Sequence, residues 1–84
     1  MRYRVTLLPA ARRALRRVDP QQQHRLRGAI ALLAVDPRPP AARRLRNRPE
    51  YRVRVGDYRI LYTVRDDELV VLVITLGHRR DVYD

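Results

Sequence analysis

The stretch Tyr51-Arg52-Val53-Arg54-Val55-Gly56-Asp57-Tyr58-Arg59-Ile60-Leu61-Tyr62 decides how this chain folds. Basic and apolar residues alternate on either side of Gly56-Asp57, the period of a half-buried strand. A two-residue loop that begins with Gly predicts a type II′ hairpin, whose first central position needs a positive φ. The loop then fixes the register: Val55 opposes Tyr58, Arg54 opposes Arg59, Val53 opposes Ile60 and Arg52 opposes Leu61. Tyr51, Val53, Val55, Tyr58, Ile60 and Tyr62 share one face; Arg52, Arg54, Arg59 and Leu61 share the other. Like charges directly across a ladder are destabilising. Arg54 opposite Arg59 is costly without an anion, and that cost marks this face as a candidate nucleic-acid site.

Downstream of the hairpin, Leu69 to Leu76 is almost wholly apolar, which predicts a third strand buried on both faces in the middle of a sheet. The Asp66-Asp67-Glu68 turn joins it to the second strand. Upstream, Tyr3 to Leu8 reads as a strand that Pro9 ends, and it is expected to lie beside the third strand of the meander. Ala11, Ala14, Leu15 and Val18 recur at helical spacing with arginines outside. Asp19-Pro20 supplies an N-cap and a first-turn proline, so a second helix starts there and runs to about Val35, with Leu26, Ala29, Ile30 and Leu33 as its buried stripe. Residues 37–49 read as a stiff, irregular connection anchored by Leu45. The order β-α-α-β-β-β predicts an α+β fold, with a helical hairpin on one face of a small sheet.

Eighty-four residues are expected to make one domain, 1–84. Phe, Trp and Cys are absent and Tyr supplies every aromatic ring, so an aliphatic core of Leu, Val, Ile and Ala is expected, and no disulfide or Cys-based zinc site can form. His24 and His78 offer no ligand spacing, and no cofactor is expected. All 19 basic residues are Arg, against 9 acidic ones, for a formal charge of +10. GC-rich coding accounts for the absence of Lys but not for the excess charge, which suits a polyanionic partner. No stretch has the length of a signal-peptide core or a membrane span, so a cytoplasmic location away from membranes is expected. The last segment, Gly77-His78-Arg79-Arg80-Asp81-Val82-Tyr83, adds a second basic cluster.

Together the hairpin, the apolar strand and this tail resemble the signature of the RelE/ParE toxin superfamily, closest to its RelE branch. The resemblance extends over nearly the whole chain. It implies a toxin of a type II toxin–antitoxin pair that enters the ribosomal A site and cuts the bound mRNA, without metal, by attack of a ribose 2′-hydroxyl on the adjacent phosphate. It also implies mRNA and rRNA as partners and a cognate RelB-like antitoxin. Arg52, Arg54, Arg59, Arg79 and Tyr83 fall on the family's site positions.

Such cleavage needs a base for the 2′-OH, an acid for the leaving oxygen, and cations around the pentavalent phosphate. Arg supplies the cations, because its planar fork binds phosphate oxygens bidentately and stays charged. Arg59 and Arg79 are expected to clamp the scissile phosphate, with Arg79 also placed to protonate the leaving oxygen. Tyr83 would orient the 2′-OH or stack on a base, while Arg52 and Arg54 hold the flanks. The best-known members carry Lys at positions 52 and 54, and Arg cannot replace Lys as a base. His78 has a suitable intrinsic pKa and is the candidate base; an rRNA group or electrostatic activation are the alternatives. Two other functions fit the same sequence: inhibition of DNA gyrase in the manner of ParE, and non-catalytic binding of RNA or the ribosome.

Overall fold

The computed structural model describes residues 2–78, which run β1 (Arg4–Leu7), α1 (Pro9–Arg17), α2 (Pro20–Leu33), β2 (Arg43–Arg44), β3 (Tyr51–Val55), β4 (Tyr58–Arg65) and β5 (Val70–His78). The five strands form one sheet in the order β1-β5-β4-β3-β2. β1 runs parallel to β5, from which α1, α2 and three strands separate it in the chain, and every other neighbour pair is antiparallel. The sheet is therefore mixed, with β1 where the sequence placed it.

Both helix starts follow from local chemistry. Pro9 and Pro20 stand in the first turns of α1 and α2, and the Asp19 carboxylate accepts a hydrogen bond from the Gln22 backbone N–H at 3.2 Å. Ala11 and Leu15 of α1, with Leu26, Ile30 and Leu33 of α2, pack on Val53, Ile60, Tyr62, Val71, Val73 and Leu76 of the sheet. Each of these side chains is at least nine-tenths buried. The opposite face of the sheet carries the small buried pair Leu45 and Leu61.

Two expectations need correction. β5 is not buried on both faces, for Leu72 and Ile74 are only half-buried. A bulge between Leu61 and Tyr62 on one side and Thr75 and Val73 on the other leaves Ile74 as the extra residue. The apolar run therefore serves one covered face with a shift in phase. The connection after α2 is also less irregular than its prolines imply, because Arg43 and Arg44 pair with Arg52 and Tyr51 as an edge strand.

Candidate nucleic-acid interface

The hairpin register matches the sequence pattern throughout: Val55 pairs with Tyr58, Arg54 with Arg59, Val53 with Ile60, Arg52 with Leu61 and Tyr51 with Tyr62. Gly56 has a φ of +60°, and Asp57 is not among the positive-φ residues, which defines the type II′ turn. The Arg25 guanidinium of α2 lies against this turn: a Cβ on Gly56 would stand 3.1 Å from its Nη1. The helix layer thus reaches round to brace the hairpin tip.

Cross-strand partners point to the same side of a sheet, so the pairings map the face away from the helices. One row runs Arg43, Arg52, Leu61 and Thr75, and the next runs Arg54, Arg59 and Gly77. Gly77, the ladder partner of Arg59, carries no side chain. Arg54 is exposed, Arg52 and Arg59 are half-buried, and the Nε atoms of the latter two are shut off from solvent. A depression of about 250 Å³ at the tip is lined by Arg54, Gly56, Asp57, Tyr58 and Arg59. Planar guanidiniums set at adjacent ladder positions suit an extended chain of phosphates.

Sequence reasoning missed Arg43, because nothing in the periodicity of residues 37–49 announces a strand. Its Nη1 donates to the carbonyls of Pro40 at 2.8 Å and Ala42 at 3.0 Å, which ties the side chain to its own loop. The same reasoning missed Arg38, the centre of a clasp at the other end of the hairpin. Arg38 donates to both oxygens of Asp66, at 3.0 and 2.8 Å, and through Nε to the Tyr51 hydroxyl at 3.0 Å. The Tyr3 hydroxyl also donates to Asp66, at 2.6 Å. Arg38 holds the Asp66 carboxyl down at about 2, helped by Tyr3; hydrogen bonding to Asp66 in turn raises Tyr3 and Arg38. Beneath them the buried Tyr62 hydroxyl donates to the Pro37 carbonyl at 2.7 Å, and its ring stacks on Tyr51 at 5.6 Å between centroids. No sequence pattern links residues so far apart.

His78 does not share the arginine face. It pairs with Tyr58 one position beyond the Arg59–Gly77 pair, so alternation turns it to the helix side. There its ring meets Tyr58 edge-on at 5.7 Å, beside a cavity that Ala14, Arg17, Val18 and Leu76 also line. Arg79 and Tyr83 lie outside the described residues. Among the described residues no group of three or more His, Asp or Glu side chains is arranged to hold a metal ion, and no helix is long and apolar enough to cross a membrane.

Residues 5–83 match the family model for the ParE toxin of the type II toxin–antitoxin system parDE. No curated protein matches the chain in sequence. Among solved structures, the fold is similar to the archaeal RelE–RelB complex from Pyrococcus horikoshii OT3, with 26% identity, a TM-score of 0.84, and coverage of 98% of this chain and 100% of that one. It is similar to the RelBE2 toxin–antitoxin complex of Mycobacterium tuberculosis at 26% identity and a TM-score of 0.80, covering 94% of this chain and 100% of that chain. The intact E. coli RelBE toxin–antitoxin complex gives the same identity and TM-score, with coverage of 90% and 95%.

Proposed function

We propose, because this chain belongs to the ParE toxin family of type II toxin–antitoxin systems, that it is a RelE-like endoribonuclease which cuts mRNA in the ribosomal A site and so inhibits translation. The observation that carries this reading is Arg54 directly opposite Arg59, with Arg52 next to them on the face that the helices leave uncovered. A phosphodiester laid across these positions offsets their mutual repulsion. In the cleavage step the 2′-oxygen attacks phosphorus, the P–O5′ bond breaks, the 2′ proton leaves to a base and O5′ gains a proton. Arg59 and Arg79 are assigned the clamp on the phosphate as its charge develops, and Arg79 also the proton given to the leaving O5′. Arg52 and Arg54 hold the flanking backbone, and Tyr83 orients the ribose or stacks on a base. His78 is not given the role of base, since it faces the helices; an rRNA group takes the 2′ proton instead, or water does once the arginines have activated the hydroxyl electrostatically. The antitoxin partner is a RelB-like chain, as in the similar complexes.

The test is a ribosome-dependent cleavage assay on the full chain beside growth arrest in cells. Arg79→Ala and Tyr83→Ala should abolish both; full toxicity of both variants would refute the assignment. The family match favours one second reading, inhibition of DNA gyrase. A supercoiling assay separates the two, because a gyrase inhibitor blocks supercoiling and leaves A-site mRNA intact. Binding to the A site without cleavage would mark a non-catalytic module instead.

A further inference from the structure

Away from the arginine face, on the opposite edge of the sheet, β1 and the two helices enclose a cleft of about 480 Å³ lined in part by Val5, Leu7, Arg12, Arg16 and Arg27. Arg12 and Arg16 stand four residues apart and therefore on one side of α1, while Arg27 comes from α2. Three arginines from two helices line it, and among the described residues no acidic side chain does.

The floor adds donors. β1 bonds to β5 through the Arg4 N–H to Leu69 and the Leu8 N–H to Val73. Strand alternation then directs the backbone groups of Val5 and Leu7 to the free edge. The Leu7 carbonyl there already accepts from the Arg12 Nε at 3.3 Å. The remaining groups are mostly donors: two strand N–H groups and the guanidiniums. A single charge would suffice to guard the edge of a sheet; three of one sign around donor-rich backbone match an anion.

We propose that this cleft is a second phosphate-binding site, which takes the backbone of a nucleic-acid strand on the side of the domain away from Arg54 and Arg59. A phosphodiester fits the donor set because its oxygens accept from several guanidiniums and from a strand edge at once. The proposal concerns binding and does not depend on cleavage.

The probe is a short single-stranded RNA with 2′-O-methyl riboses, which cannot undergo 2′-attack, titrated onto the full chain from ~50 to ~200 mM salt. Arg16→Ala/Arg27→Ala should flatten the slope of log affinity against log salt by ~0.7 per phosphate lost, about a fivefold loss of affinity near ~0.1 M salt. In the unmodified chain the amide resonances of Val5 and Leu7 should shift with RNA, and with inorganic phosphate at higher concentration. Both arginines are exposed on helices and Ala is a strong helix former, so thermal unfolding should not fall. An unchanged slope overturns the proposal. So does polyglutamate shifting these amides where RNA does not, which would assign the cleft to an acidic protein segment. Arg54→Ala/Arg59→Ala, measured in parallel, tests the sheet face separately.

Discussion

Replacing Tyr62 by Phe tests the clasp that holds the base of the hairpin. The Tyr62 side chain is fully buried, and its hydroxyl reaches the carbonyl of Pro37, itself buried, at 2.7 Å. Phe keeps the ring and its stacking on Tyr51, so the change isolates the hydrogen bond. Leaving the buried carbonyl without its donor costs about 1–3 kcal/mol. For a domain of this size 1 kcal/mol corresponds to ~4–8 °C, so a central loss of about 2 kcal/mol lowers Tm by ~8–16 °C. Circular dichroism melts on Tyr62→Phe measure this directly. Tyr51→Phe is the control: its hydroxyl accepts from Arg38 in an exposed setting, and its loss should matter less. The pH profile gives a second readout. Burial pushes the Tyr62 phenol up to about 12 from an ordinary value of 10.0. A pKa raised in the folded state means stability fully present below pH 10.0 and lost as pH rises towards about 12. Tyr62→Phe should remove that part of the alkaline loss. A Tm within ~2 °C of the parent, or equal losses for both variants, would refute the reasoning.

Asp66→Asn should abolish an acid-sensitive contribution: the folded carboxyl titrates at about 2 against 3.8 ordinarily, so its stabilisation is present above 3.8 and lost as pH falls through about 2. Acid unfolding followed by circular dichroism should be flatter for the variant in that window. Arg54→Thr should raise stability by ~0.2–1 kcal/mol by relieving the pair with Arg59, and should reduce toxicity; denaturant melts and growth assays read the two effects. Gly56→Ala should lose ~1–2 kcal/mol, because the turn holds a φ of +60° that an L side chain resists. Gly28→Ala should gain ~0.5–1 kcal/mol, since its methyl would meet nothing within 4 Å in the middle of α2. Parallel melts of the two glycine variants should move in opposite directions.

The hairpin was legible because its signals are local. Gly56-Asp57 fixes the turn, alternation fixes the faces, and the register follows. Pro9, Asp19 and Pro20 mark the helix starts for the same reason. The bulge at Ile74 was not legible, since an unbroken apolar run carries no sign of a change in phase. β2 was hidden because an edge pair of two residues has no period. The Arg38 clasp joins residues 28 positions apart, from Arg38 to Asp66, and only the folded chain brings them together. The side that His78 takes was not legible from its nearness to Arg79 in sequence, because one residue along a strand is the opposite face.

These two ends of the hairpin explain one another. At its base, Tyr51 and Tyr62 stack under Arg38, and Tyr3 and Arg38 converge on Asp66, so β1, the proline loop, β3 and the β4–β5 turn are joined at one point. At its tip, Arg54 faces Arg59 across the ladder, a pairing that works against the strand contact it interrupts. A free two-stranded ribbon is marginal in water and would not keep such a pair in register. Here β4 is central in the sheet, with Ile60 and Tyr62 fully buried under the helices, and Arg25 braces the turn from the other side. The frame therefore fixes the backbone spacing of the arginines before any anion arrives, so the strands need not be ordered on binding. Any polyanion that binds this folded face and not the unfolded chain must also stabilise the fold. Added RNA should therefore raise Tm, and Arg54→Thr should shrink that increase even as it raises the starting Tm; an undiminished increase would mean the anion binds elsewhere.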